Sequence, residues 1–377
     1  MTIDFLIEDK VFQMPDNFSE LSEYTLKSSP RPYNVTVKSN PNVLNEIQSK
    51  LDENSKNLLF VDKNVFNLYL KDLKIDKERI FFAEANEEFK TLENGFLKLI
   101  SFLERNEFTK GETLVTVGGG VTEDVAAFAG ACYKRGIKWV FYPTTLLSMC
   151  DSCIGGKTGI NHNKVKNQLA LFSAPSEVVI NIEFLKTLSD FDIKSGMGEI
   201  LKLLVTGGKE ALDIYIKNVE CGKVKNFSCY KPLILSSLAV KRAVVEEDEF
   251  ELYHRKSLNY GHTLGHAIEV LSNYKIPHGQ AVIIGMVIVN KLAKDKGILN
   301  DEDYKLTQTL SKELLGKSIM REVCLDGLDK LLKKDKKTEG NLVNFVIISK
   351  LGDTKFLKME INESLIDEID KIIKQEF

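Results

Sequence analysis

Four short runs rich in β-branched residues punctuate the chain between Tyr33 and Ile182: "NLLFVD" (Asn57–Asp62), "ETLVTVGGG" (Glu112–Gly120), "IKWVFYPTT" (Ile137–Thr145) and "EVVINI" (Glu177–Ile182). They alternate with helical patterns, among them "VTEDVAAFAGACYKRG" (Val121–Gly136), which closes on a glycine. Continuous apolar strands separated by helices predict a mainly parallel sheet with helices on its faces. Beyond Phe184 the β pattern nearly vanishes. "SGMGEILKLLV", "KPLILSSLAVKRAVVEEDEF", "HTLGHAIEVL", "GQAVIIGMVIVNKLAKDKG" and "ESLIDEIDKIIKQEF" all carry helical periodicity. The expected fold class is therefore α/β followed by all-α, with a boundary near residue 183. Residues 1–30 resemble neither half and are set apart as an N-terminal arm. A chain of 377 residues is longer than one core usually serves, which agrees with two domains.

Composition narrows the class further. Apolar residues make up 43% and charged ones 28%, ordinary values for a globular protein, and the net charge of −3 gives no pull towards nucleic acid or an anionic membrane. The opening "MTIDFLIEDKVFQ" carries Asp4, Glu8 and Asp9 where a secretory signal needs a basic end and an apolar run. The longest apolar stretch, "AVIIGMVIV" (Ala281–Val289), is half of what a bilayer requires. A cytoplasmic protein with no nucleic-acid or membrane partner is expected, with its six scattered cysteines kept as thiols.

Several motifs carry chemistry. "TVGGGVTEDVAAF" sets three glycines between a strand and a helix, where backbone N–H groups and the helix N-terminus can meet an anion. A tight strand-to-helix turn would use the same glycines. "GGKTGINHNKVKNQ" (Gly155–Gln168) gathers Lys157, Lys164, Lys166, Asn161 and Asn167 in a glycine-rich loop suited to phosphate or carboxylate oxygens, or simply to water. "SGMGEILKLL" places Glu199 and Lys202 three apart among apolar residues, so the carboxylate needs a buried partner, and a metal would be one. "GHTLGHAIEVLSNYKIPHG" holds His262 and His266 one helical turn apart, with His278 following. With a Glu from elsewhere, such histidines suit a metal site with an open position. Thr263 and Leu264 occupy the places where HExxH supplies a general base, so that motif is excluded.

Taken in order, "GGGVTED", "YKRG", "PTTLLSMCDSCIGGKTGIN", "FLKTL", "GMGEILK", "KRAVVEEDE", "RKSLNYGHTLGHAIE", "HGQAVIIGM" and "DKKTEG" resemble the 3-dehydroquinate synthase family of sugar-phosphate cyclases over about residues 33–352. The resemblance implies a Rossmann-like NAD-binding domain (31–182) followed by a helical metal- and substrate-binding domain (183–377). It implies Glu199, His262 and His278 as ligands of Zn2+, with Co2+ as a substitute, and leaves His266 near the substrate phosphate in a proton-transfer role. Lys157, Lys202, Lys241, Arg255 and Asn259 would join His266 as catalytic residues, with Arg135, Asp151, Asn167 and Lys337 binding substrate. Arg135 would come from the neighbouring subunit of a homodimer. NAD would be held by Asp62, Asn64, Glu87, Lys90, Gly118, Gly119, Gly120, Asp124, Thr144, Thr145, Lys166, Phe184 and Thr187.

The implied reaction converts a phosphorylated sugar acid, 3-deoxy-D-arabino-heptulosonate 7-phosphate, to 3-dehydroquinate and phosphate. It runs by transient oxidation with NAD, phosphate elimination, re-reduction and aldol closure, as a carbon–oxygen lyase of the shikimate pathway. Three departures leave a related substrate open: Glu123 for the family's usual glycine, "ALFSAP" (Ala170–Pro175) for "GAFYQP", and Gln280 for the glutamate of "HGEAV". The rivals are another cyclase, such as an aminodehydroquinate synthase, a metal-dependent polyol dehydrogenase sharing the fold, and a non-catalytic binding module. The retained "GGKT" lysine favours a carboxylated substrate.

Overall fold

A computed structural model of the chain describes residues 2–29, 31–163, 165–219, 227–315, 319–323, 325–334 and 340–377. It divides into two units. One comprises Glu20–Leu188 with a stretch ending at Leu238, and the other comprises the residues up to Ser19, a stretch from Ser189, and Ala239–Phe377.

The first unit is built on a seven-stranded sheet. Its strands are β3 (Glu23–Leu26), β4 (Tyr33–Lys38), β5 (Leu58–Asp62), β6 (Ile80–Ala83), β7 (Thr113–Gly118), β8 (Lys138–Pro143) and β11 (Glu177–Asn181), in the order β3-β4-β11-β8-β7-β5-β6. Every pairing is parallel except β3 with β4. The four runs predicted as strands are β5, β7, β8 and β11, and they run nearly unbroken through the core, as strands covered on both faces must. Helix Gly120–Cys132 packs against β7 and β8, and Gly136 follows it with φ 105°, a conformation that favours glycine. The segment read as a loop, Gly155–Gln168, instead supplies a hairpin of β9 (Lys157–His162) and β10 (Val165–Phe172).

The second unit centres on helix His278–Asp295. Its Ala281–Val289 stretch is buried on all sides, which accounts for the apolar run. Around it stand helices Asp190–Gly207, His262–Leu271, Asp301–Leu314 and Glu363–Glu376. Among the described residues no helix is long and apolar enough to cross a membrane. Helical periodicity did not predict the four-stranded sheet that shares this unit, ordered β12-β13-β1-β2 from β12 (Leu342–Lys350), β13 (Asp353–Glu360), β1 (Thr2–Ile7) and β2 (Lys10–Pro15). The expected arm of residues 1–30 is accordingly divided, because β1 pairs with β13 whereas β3 pairs with β4. The break between units falls after Leu188, against the expected boundary near 183. Cys132, Cys150 and Cys153 are free thiols as expected, but Cys229 is disulfide-bonded.

Two glycines allow the helices to approach so closely. A Cβ at Gly285 would run into the backbone of Gly261 and Gly265, and one at Gly279 into the carbonyl of Ser195. Gly285→Ala should therefore destabilise the protein. Overpacking costs about 1–3 kcal/mol, while Ala returns at most about 1 kcal/mol of helix propensity. Thermal unfolding checks this, and an unchanged or raised melting temperature would mean that the helices are not in backbone contact.

Candidate active site

The buried carboxylate of Glu199 lies in helix Asp190–Gly207, 1% exposed. One turn on, the Lys202 ammonium, equally buried, meets Glu199 Oε2 at 2.7 Å. The other oxygen, Oε1, faces two imidazoles, with His278 Nε2 at 3.3 Å and His262 Nε2 at 3.6 Å. The contact of Gly279 with Ser195 fixes this meeting, since it seats the start of the His278 helix against the turn before Glu199.

Each imidazole is oriented from behind. His262 Nδ1 lies 3.1 Å from the Tyr260 carbonyl, which can only accept, so Nδ1 donates there and Nε2 is turned to Glu199. His278 Nδ1 lies 3.2 Å from Glu269 Oε2, which orients that ring in the same way. Outer hydrogen bonds of this kind usually accompany metal-binding histidines. Imidazole nitrogens facing a buried carboxylate oxygen call for positive charge between them. A proton can fill that place: burial works to lower the basicity of His278, but Glu199 and Glu269 outweigh it and raise the group to about 10. The mix of one carboxylate and imidazoles also fits Zn2+ or Co2+.

His266 lies one turn from His262 as its spacing predicts, and ring centroids in the trio are 5.3–5.5 Å apart. Donor atoms of all three histidines fall within 4.8 Å of one another. The structure thus brings His266 nearer the others than a substrate-only role requires, although it is the exposed member of the set. Glu269 is the residue that sequence reasoning missed. It follows His262 by seven positions and shares its helical face, a spacing that could have marked it.

The same unit holds Lys241 and Arg255, both buried, and Asn259, half-buried. Buried cations are rare without a functional or pairing reason. Arg255 donates through Nη1 to the Glu249 carbonyl, and Asn259 donates to Glu251 Oε1 at 2.8 Å.

In the other unit, the glycine turn ends β7 and opens helix Gly120–Cys132. A Cβ at Gly119 would meet Thr145 Cγ2 at 2.8 Å, while nothing lies within 4 Å of one at Gly120, so backbone is left open at the helix N-terminus. That cradle fits a pyrophosphate. The Thr144 N–H donates to the Gly118 carbonyl at 2.9 Å, and the Thr145 hydroxyl shares a hydrogen with Ser148 at 2.7 Å. Asp124 receives Lys90 Nζ at 2.5 Å and the Gly159 N–H at 3.1 Å, and burial pushes its carboxyl up against the opposing pull of Lys90. Glu87 accepts from Asn161 at 2.7 Å and pairs with Lys166 at 3.2 Å. Burial works to raise it, but Lys90, Asn161 and Lys166 hold it below the usual carboxylate range. Glu87, Lys90, Asp124 and Lys166 are thereby knitted around the β9–β10 hairpin.

Asp62 caps the turn after β5 through Asn64 and Val65 N–H groups at 2.7 and 3.1 Å. Thr187 and Phe184 both meet Tyr69, which sequence reasoning did not single out. Lys157, Asn167 and Arg135 are exposed and Asp151 is partly buried. Arg135 and Asn167 adopt positive φ, 59° and 51°. Glu123, the unusual residue after the glycines, is buried and accepts from the Ser152 hydroxyl at 2.5 Å. Lys337 and Lys164 lie outside the described residues.

Comparison with known proteins gives this constellation its family. Residues 80–195 match the model of the 3-dehydroquinate synthase N-terminal domain, and 196–338 that of the C-terminal domain. The 3-dehydroquinate synthase of Pelagibacter ubique is 33% identical, over 92% of this chain and 97% of its own. The fold is shared with a 2-deoxy-scyllo-inosose synthase solved with carbaglucose-6-phosphate, NAD+ and Co2+, at TM-score 0.80 and 21% identity over 94% of this chain and 99% of that one. A 2-epi-5-epi-valiolone synthase from Streptomyces hygroscopicus, solved with NAD+ and Zn2+, superposes at TM-score 0.69 and 22% identity over 93% and 98%. By sequence over nearly its whole length, the chain belongs to the 3-dehydroquinate synthase family.

Proposed function

We propose that this chain is a 3-dehydroquinate synthase that converts 3-deoxy-D-arabino-heptulosonate 7-phosphate to 3-dehydroquinate and phosphate, using NAD and a divalent metal, Zn2+ or in its place Co2+. The observation that carries the reading is Glu199 turned to the Nε2 atoms of His262 and His278, in a chain whose sequence belongs to this family. Glu199, His262 and His278 are the proposed ligands. When bound, NAD supplies a reversible hydride acceptor and the metal a Lewis acid for the substrate hydroxyls.

The remaining work belongs to the protein. Lys202 pairs with Glu199, and Tyr260 and Glu269 hold the two imidazoles with their Nε2 atoms forward. His266, the exposed member of the trio, is assigned to the substrate phosphate, where its ring nitrogen passes a proton. Lys157 takes the substrate carboxylate, and Lys241, Arg255 and Asn259 neutralise and orient phosphate and hydroxyl oxygens. Asp151, Asn167, Lys337 and the Arg135 of a neighbouring subunit complete substrate binding in a cytoplasmic homodimer. The glycine turn takes the NAD pyrophosphate, with Asp62, Asn64, Glu87, Lys90, Asp124, Thr144, Thr145, Lys166, Phe184 and Thr187 about the rest.

Incubation with the heptulosonate phosphate, NAD+ and zinc should release phosphate and the carbocyclic product in equal amounts, and release of neither would refute the assignment. Lys157→Ala should lower kcat/KM roughly ten- to a hundredfold, the loss expected of one charge-assisted contact of about 1.5–3 kcal/mol, with NAD affinity little changed. Unchanged kinetics would place the carboxylate elsewhere or remove it from the substrate.

The histidines are separated by metal content measured with turnover on one preparation. His262→Ala should lose zinc and activity together. His266→Asn should keep zinc while turnover falls roughly 10²–10⁴-fold. Zinc lost from His266→Asn would make that residue a ligand.

A further inference from the structure

Residues 2–15 are part of the unit that holds the histidines. β1 and β2 pair antiparallel from Thr2↔Pro15 to Ile7↔Lys10, and β1 lies parallel to β13 at Leu6↔Asp353. Phe5, Ile7, Phe12 and Met14 are all buried. Phe12 has a contact beyond this sheet, since its ring meets that of His254 at 5.6 Å, nearly edge-on. Two positions earlier, Lys10 lies 5.5 Å from the Phe12 ring centroid and forms an ion pair with Glu247.

Glu247 and His254 bracket the loop that presents Arg255 and Asn259. Within it, the Asp248 carboxylate accepts the N–H groups of Leu252 at 2.9 Å, Tyr253 at 2.8 Å and Arg255 at 3.0 Å. Burial works to raise Asp248, but these donors and the Arg255 charge hold its carboxyl below the usual range. Glu251, whose carboxylate takes the Asn259 amide, sits at φ 57°, a left-handed conformation that is unfavourable for a residue bearing a side chain. A loop bent in this way depends on contacts from outside to hold its shape, and the hairpin supplies two.

We infer that the N-terminal hairpin is a positioning element for substrate binding: Phe12 and Lys10 hold the 247–259 loop so that Arg255 and Asn259 are set for the substrate. The inference rests on the proposed substrate role of those two residues. Phe12 is a positioning residue, since it acts through His254.

The test is carried out on full-length protein loaded with zinc and NAD, with Phe12→Ala, Phe12→Leu, Phe12→Tyr and Arg255→Ala compared. Phe12→Leu keeps an apolar side chain in the buried site and carries the test if Phe12→Ala fails to fold. Loss of the ring should lower kcat/KM for the sugar phosphate roughly ten- to a hundredfold, mainly through KM, as misplaced binding groups do. Zinc and NAD content should not change. Amide hydrogen exchange at Leu252, Tyr253 and Arg255 should quicken, and Phe12→Tyr, which keeps the ring, should restore both readouts. Unchanged KM and exchange in Phe12→Leu, with activity lost in Arg255→Ala, would overturn the inference and leave the hairpin a structural part only. Unchanged activity in Arg255→Ala would instead overturn the substrate assignment of the loop, and the inference with it.

Discussion

A single carboxylate organises the histidine-bearing unit. Glu199 is almost entirely removed from water, a transfer that costs several kcal/mol for an ion left alone. Lys202 answers one of its oxygens, and the imidazoles of His262 and His278 face the other. Those rings are held by the Tyr260 carbonyl and the Glu269 carboxylate, so their Nε2 atoms are turned to Glu199. Such a cluster is stable only with positive charge at its centre, and a proton or a divalent cation meets that need.

Much of the surrounding architecture follows from bringing three helices to that point. Glycines stand where backbone meets backbone, Gly279 against Ser195 and Gly285 against Gly261. The central helix is apolar from Ala281 to Val289 because that stretch is enclosed, and His278 stands at its start. Besides Lys202, Lys241 and Arg255 are drawn out of water in the same unit. The other unit spends its charged side chains differently. Lys90 with Asp124 and Glu87 with Lys166 brace the β9–β10 hairpin beside an open glycine turn.

What could be read from the sequence was whatever local spacing encodes. The i,i+3 pair Glu199–Lys202 and the i,i+4 pair His262–His266 lie on helices as their spacing requires. The buried parallel strands were legible because they are continuous β-branched runs. The four-stranded sheet was not, since β1 and β13 are separated by nearly the whole chain and nothing in either segment names its partner. The β9–β10 hairpin was masked by its lysines, asparagines and glycines, which compose loops as readily as exposed strands. Glu269 was passed over because its importance depends on the far nitrogen of His278, a contact made only once two helices pack. Glu123, one of the departures that left a related substrate open, accepts a hydrogen bond from the Ser152 hydroxyl.

The central claim is that Glu199, His262 and His278 bind the metal while His266 does not. Anomalous diffraction at the zinc absorption edge, from crystals of the zinc-loaded protein, tests it directly. One zinc peak is expected within about 2.0–2.2 Å of a Glu199 oxygen and of the Nε2 atoms of His262 and His278, with His266 beyond bonding distance. A zinc ion held by His262, His266 and His278, with Glu199 outside its coordination shell, would contradict it.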